Sequence, residues 1–131
     1  MRVLHRSAGI CVEPQHPVLD ECGRFIARAD LWLTGTRRIH EYDGDTHRSP
    51  EGHAMDLARD RRLSAAGWTR YGYTSRHLLV EGGGDVVADT DRLLGRPWDP
   101  RRLYAWNELV DSSLFGRRGR GRAYGQWRRS A

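Results

Sequence analysis

The chain has 131 residues and a mass of 15.0 kDa, which is the size of one domain with a modest core. Hydrophobic residues make up 38% of it and mean hydropathy is -0.74, with no run of about eighteen apolar residues, so a membrane span is not expected. Its formal charge of +5 is uneven: residues 116–131 hold six arginines and no acid, and removing those six charges leaves -1 for residues 1–115.

The opening MRVLHRSAG reads as a short helix stopped by Gly9, with no long apolar stretch of the kind a signal peptide needs. A cytoplasmic location is the expectation. Cys11 and Cys22 flank the next segment; ordinary reduced, buried or half-buried thiols are expected, although a bridge across a hairpin is conceivable. EPQHPVLD is broken by prolines and then extended. DECGR carries turn chemistry.

RFIARADLWL alternates as a strand, with Asp30 on the Ile26 and Trp32 face. TGT turns the chain into RRIHEYDG, a strand with Ile39, Glu41 and Asp43 on one face. Pro50 suits the first turn of a helix that runs to Ala66 and ends at Gly67, with Met55, Ala58, Leu63 and Ala66 expected inward. WTRYGYT is a fourth strand, and Ser75 caps SRHLLVEG. After a Gly82–Gly84 break come two amphipathic helices, with Val86, Val87, Leu93 and Leu94 inward in the first and Leu103, Trp106, Leu109 and Val110 in the second. The Gly/Arg stretch 116–131 is expected to be disordered by itself.

This ordering predicts three regions: a core over residues 1–80, a helical extension over 81–115 and the basic tail over 116–131. The chemistry concentrates in the core. A short TGT turn makes the second and third strands antiparallel neighbours, and a register with Asp30 opposite Glu41 and Asp43 brings three carboxylates together. Such a cluster repels itself unless a cation neutralises it, and hard oxygen donors suit Mg²⁺ or Mn²⁺. His47 follows within reach as a general acid or base. Spacing alone also fits a plainer account, in which Asp30 and Asp43 cap turns and Glu41 is solvated.

The wider pattern RADLWL…RRIHEYDGDTH…ARDRRLSAAGWTRYGYT resembles a bacterial family related to the very-short-patch-repair endonucleases, within the PD-(D/E)xK restriction-endonuclease-like superfamily. The resemblance spans roughly Val12 to Leu79. Its elements are Asp30 on a strand, Glu41-Tyr42-Asp43-Gly44 closing the next, His47 just after, the run Arg59-Asp60-Arg61-Arg62 on a helix, and Gly67-Trp68 leading into a last strand.

The resemblance implies an α/β (α+β) restriction-endonuclease-like core, a mixed four-stranded sheet flanked by helices in the order helix-β-β-β-helix-β, followed by C-terminal helices. It implies a metal-dependent DNA endonuclease that hydrolyses phosphodiester bonds. Asp30, Glu41 and Asp43 would be metal-binding and catalytic, and His47 would be catalytic. Asp43 stands where the superfamily usually has lysine. The shortened first helix lacks the glutamate that relatives carry there, so the rival expectation is a non-catalytic DNA-binding or partner-binding module on the same fold. Arg59, Arg62 and Arg70 are candidate phosphate contacts, as are Arg117, Arg118, Arg120 and Arg122 of the tail. DNA is the expected partner, with a homodimer as a candidate assembly and no membrane.

Overall fold

The structure is a computed structural model that describes residues 1–44 and 50–122. Helix α1 (Arg2–Ser7) comes first, then strands β1 (Val12–Leu19), β2 (Phe25–Leu33) and β3 (Arg38–Tyr42), helix α2 (Pro50–Ala65) and strand β4 (Thr69–Tyr73). A π-helical turn (Arg76–Val80), helix α3 (Gly84–Leu93), a 3₁₀ turn (Pro100–Leu103) and helix α4 (Tyr104–Ser112) follow. Residues 117–122 are also helical.

The chain divides into two compact units. The first holds Met1–Arg2 and Ile10–Ser75, and so the whole sheet with α2; the second holds Val3–Gly9 and the residues from Arg76 on. Most of α1 therefore belongs with the later helices.

In the first unit the four strands form one mixed sheet in the order β1-β2-β3-β4. β1, β2 and β3 run antiparallel in turn, and β4 lies parallel to β3 after the α2 crossover. A parallel return requires such a crossover, while the antiparallel pairs need only tight turns. The β1–β2 turn is built by Asp20, whose Oδ1 accepts the amides of Cys22 and Arg24, both at 2.9 Å, with Gly23 at φ 76°. The β2–β3 turn places Gly35 at φ 81°, and Trp32 Nε1 donates to the Thr36 carbonyl at 2.7 Å. β1 contains both Pro14 and Pro17; as an outer strand of this sheet it tolerates residues that cannot donate to a ladder.

The end of α2 shows why the chain turns there. Gly67 takes φ 74°, its amide donates to the Ser64 carbonyl at 3.0 Å, and the Trp68 amide donates to Leu63 at 2.9 Å. That is the Schellman pattern, in which a left-handed glycine lets two further amides reach back to the last helical carbonyls. It seats Trp68 beside a core of Val18, Ile26, Ala27, Ala29, Ile39 and Leu63, with Trp32 and Ala66 also packed against it.

The expected inward face of α2 needs correction. Leu63 is buried and Ala66 partly so, but Met55 is 74% exposed and Ala58 is exposed. The partly buried positions are instead Asp56, Arg59 and Asp60, which share a helix face with Leu63 at the spacing i, i+3, i+4, i+7. Hydrophobic periodicity fails here because the buried stripe is mostly charged. Both cysteines are free, and they are exposed rather than buried or half-buried; Cys22 sits in the Asp20 turn, its amide donating to Asp20 Oδ1.

In the second unit Val86 and Val87 of α3 are fully buried, as expected, whereas Leu93 is 41% exposed. Thr90 and Asp91 take the remaining buried places. Thr90 Oγ1 donates to the Val86 carbonyl at 2.8 Å, and Asp91 accepts from Arg102. Leu103 and Trp106 are buried, and the Trp106 indole donates to the Leu78 carbonyl at 3.1 Å; Leu109, expected inward, is 49% exposed. Among the described residues no helix is long and apolar enough to cross a membrane.

Candidate functional site

β3 carries the central acid. Its residues Ile39, His40 and Glu41 are all buried, with Glu41 only 8% exposed, so the carboxylate is not simply solvated. Burying it without partners would be strongly unfavourable. Two arginines supply the partners. Arg59 of α2 donates to Glu41 Oε2, and Arg70 Nη1 of β4 lies 3.3 Å from the same oxygen.

Arg70 also connects the remaining acids. Its Nη2 donates to Asp60 Oδ2 at 3.1 Å and its Nε lies 2.9 Å from Oδ1, while Nη1 stands 3.8 Å from Asp43 Oδ1. The guanidinium fork is thus anchored on α2 and extends its third nitrogen toward β3. Burial opposes the charge on Arg70, but its hydrogen bond to Asp60 and the charges of Asp60, Glu41 and Asp43 outweigh it and raise its pKa above the usual guanidinium value.

Asp43 reaches this position because β4 has no side chain at Gly72. In the parallel ladder Gly72 pairs with Glu41, and a methyl group added there would lie 1.9 Å from Asp43 Oδ2. The Asp43 amide donates to the Tyr73 carbonyl at 3.0 Å, which holds the chain against β4 just beyond the end of β3.

Asp30 has a different task. The β2–β3 pairing runs through Trp32–Ile39 and Leu31–His40, and its next step places Asp30 beside Glu41. There the Asp30 carboxylate accepts the Tyr42 amide at 2.9 Å, standing in for a main-chain acceptor. In β1 the residue opposite Asp30 in the same register is Gln15, with φ 55°, unusual for a residue other than glycine.

The structure therefore brings Asp30, Glu41 and Asp43 to neighbouring positions at one end of β2 and β3. His47 lies outside the described residues. Arg59 and Arg70 converge on the acids. Arg62 instead donates to the carbonyls of Phe25 and Ile26 at 2.7 and 3.4 Å. Arg117, Arg118, Arg120 and Arg122 fall on the helical residues 117–122 and are exposed; Arg118 pairs with Asp111 at 2.9 Å and Arg120 donates to the Phe115 carbonyl at 2.8 Å. Residues 123–131 lie outside the described residues.

Two site residues escaped the reading of the sequence. Asp60 was legible as part of the Arg59-to-Arg62 run, and its place three before Leu63 on the buried helix face was the available signal. Gly72 is the next same-face position after Arg70, where a missing side chain leaves space. A separate groove of about 610 Å³, lined in part by Cys22, Phe25, Ile26, Arg62 and Ala65, includes none of Glu41, Asp43 and Arg70.

Carboxylate oxygens are the kind of donor that Mg²⁺ and Mn²⁺ accept. In the arrangement described here, those oxygens are engaged with Arg59, Arg70 and the Tyr42 amide. Among the described residues no three His, Cys, Asp or Glu side chains form a group that could hold a metal ion. Asp30, Glu41, Asp43 and Asp60 stand against Arg59 and Arg70, four acids to two bases.

Compared with protein-family models, with curated proteins and with solved structures, the chain matches none of them.

Proposed function

We propose that the first unit is a restriction-endonuclease-like domain that hydrolyses DNA phosphodiester bonds with Mg²⁺ or Mn²⁺. The observation that carries this reading is that Asp30, Glu41 and Asp43 occupy neighbouring backbone positions at the end of β2 and β3. The strand order, with three antiparallel strands, a helix and a parallel fourth strand, supports it.

Asp30, Glu41 and Asp43 would hold the ion. When bound, it supplies Lewis-acid polarisation of a phosphoryl oxygen and a water of lowered pKa. The chain's own residues do the rest. Glu41, the most buried of the three acids, fixes the inner boundary of the site. Asp30 holds the end of β3 through the Tyr42 amide, and so sets where Glu41 points. Arg59 stands at the same carboxylate and can bind a phosphate oxygen in its place. The exposed Arg117 and Arg122 add positive charge suited to a phosphate backbone.

Plasmid nicking with Mg²⁺ or Mn²⁺ tests this. The unsubstituted protein should nick, and Glu41→Gln and Asp43→Asn should each lower the rate by about 100-fold. Equal nicking by all three would trace the activity to a contaminant and end the proposal.

A second reading is a non-catalytic DNA-binding or partner-binding module on the same sheet. Arg59 and Arg70 favour it, because they already neutralise much of the acid cluster without a metal. Well-folded protein that binds DNA yet never nicks it would establish this alternative.

A further inference from the structure

Residues 112–122, just past α4, read SSLFGRRGRGR, with four arginines, no acid, and Leu114 and Phe115 as neighbouring apolar side chains. Leu114 and Phe115 are 68% and 69% exposed. Phe115 is nonetheless held in place. Its amide donates to Ser113 Oγ at 3.2 Å, and its carbonyl accepts from Arg120 Nη1 at 2.8 Å. An aromatic ring therefore faces solvent from a fixed backbone, with a guanidinium beside it.

The glycines of this stretch fix the arginines as well. The Gly116 amide donates to the Ser113 carbonyl at 3.0 Å, and the Arg120 amide donates to the Gly116 carbonyl at 3.3 Å. A methyl group added at Gly116 would overlap the backbone of Val110 and Asp111, and one at Gly119 the carbonyls of Ser112 and Ser113. Glycine at both places lets residues 117–122 fold closely onto the end of α4. Arg118 is engaged by Asp111 and Glu108. Arg117 and Arg122 are exposed and have no carboxylate partner among the described residues.

We propose that residues 114–122 bind an unpaired nucleic-acid strand, with Phe115 stacking on a base and Arg117, Arg120 and Arg122 on the phosphates. Guanidiniums with no acid among them complement a polyanion. The open face of Phe115 suits a base that no partner strand covers, whereas duplex bases are stacked on one another. A lipid surface also offers phosphate, but an interfacial anchor needs a broad apolar face, and here two adjacent side chains are apolar. The inference shares a nucleic-acid partner with the proposed nuclease and needs neither the acid site nor a metal.

Fluorescence anisotropy of the full chain in EDTA tests it, with labelled oligo-dT, oligo-rU and a DNA duplex of the same length. One or both single strands should bind more tightly than the duplex, and the tighter of the two identifies the strand as DNA or RNA. Phe115→Ala should weaken single-strand binding about tenfold and duplex binding by less than about twofold. Phe115→Trp should bind like the unsubstituted chain. Arg117→Gln with Arg122→Gln should lower the salt slope on the single strand by about 1.4. Circular dichroism checks that each variant is folded. An unchanged affinity in Phe115→Ala, an equal loss on single strand and duplex, or no binding by the folded chain overturns the proposal. So does co-sedimentation with phosphatidylserine vesicles in place of oligonucleotide binding. A chain that nicks plasmid but fails here loses this inference alone, and one that binds but never nicks loses only the nuclease reading.

Discussion

Each unit buries an acid against an arginine, and the two pairs behave differently. In the second unit Asp91 is 1% exposed and accepts from Arg102, whose Nε also donates to the Ala8 carbonyl at 2.8 Å. That is a one-to-one pair, and it ties α1 to α3 through a main-chain acceptor. In the first unit Glu41 faces two arginines, and one of those is shared with Asp43 and Asp60. The first arrangement is balanced and serves as a staple. The second shares its arginines among several acids on two elements.

The largest effect should come from breaking the staple. Asp91→Ala leaves Arg102 without its buried partner, and a loss of about 3–5 kcal/mol in urea denaturation is expected. Replacing both residues by apolar ones, Asp91→Leu with Arg102→Met, should recover most of that loss, because neither charge is then left buried. A double variant as unstable as the single one would show that Arg102 matters chiefly through Ala8.

Glu41→Gln should be milder, about 2 kcal/mol by the same measurement, since Arg59 and Arg70 are partly exposed and Arg70 keeps Asp60. A loss as large as that of Asp91→Ala would erase the distinction drawn between the two pairs.

Gly72→Ala should cost less than about 1 kcal/mol, because alanine is tolerated in a strand and the obstructing group is the end of a side chain. It should nonetheless move Asp43 away from Arg70, visible as a change in the Asp43 carboxyl carbon shift. No change there would mean that Asp43 does not need the space over Gly72.

The smallest effect concerns acid. Hydrogen bonds from the Arg24 amide and side chain and from the Cys22 amide hold the Asp20 pKa below the usual aspartate value, against a smaller opposing effect of desolvation. A depressed folded-state pKa adds stability at pH values above the unfolded pKa, and that stability is lost as pH falls through the folded one. The Cys22 and Arg24 amide resonances should therefore keep their turn positions until below the ordinary aspartate range. Asp20→Asn should remove that titration while leaving the acid site unchanged.

Much of the first unit was legible because its signals are local. Alternation marked β2 and β3, Pro50 and Gly67 bounded α2, and the short TGT turn forced the antiparallel pairing that places Asp30 beside Glu41. The inward face of α2 was not legible, because Asp56, Arg59 and Asp60 occupy positions where periodicity looks for apolar side chains. For the same reason Arg59 and Arg70 read as free for phosphate, although each has carboxylate partners on a neighbouring element. Nothing near Arg70 in the sequence signals Glu41, twenty-nine residues earlier. In α3 the polar Thr90 and Asp91 similarly replaced the expected Leu93: Thr90 donates to the Val86 carbonyl and Asp91 Oδ1 accepts from Arg102.

The most direct test of the central claim is anomalous diffraction from crystals grown with Mn²⁺. The proposed function predicts a manganese peak at the carboxylates of Glu41 and Asp43. Crystals in Mn²⁺ that show no peak there, with Arg70 still against Glu41, would contradict it.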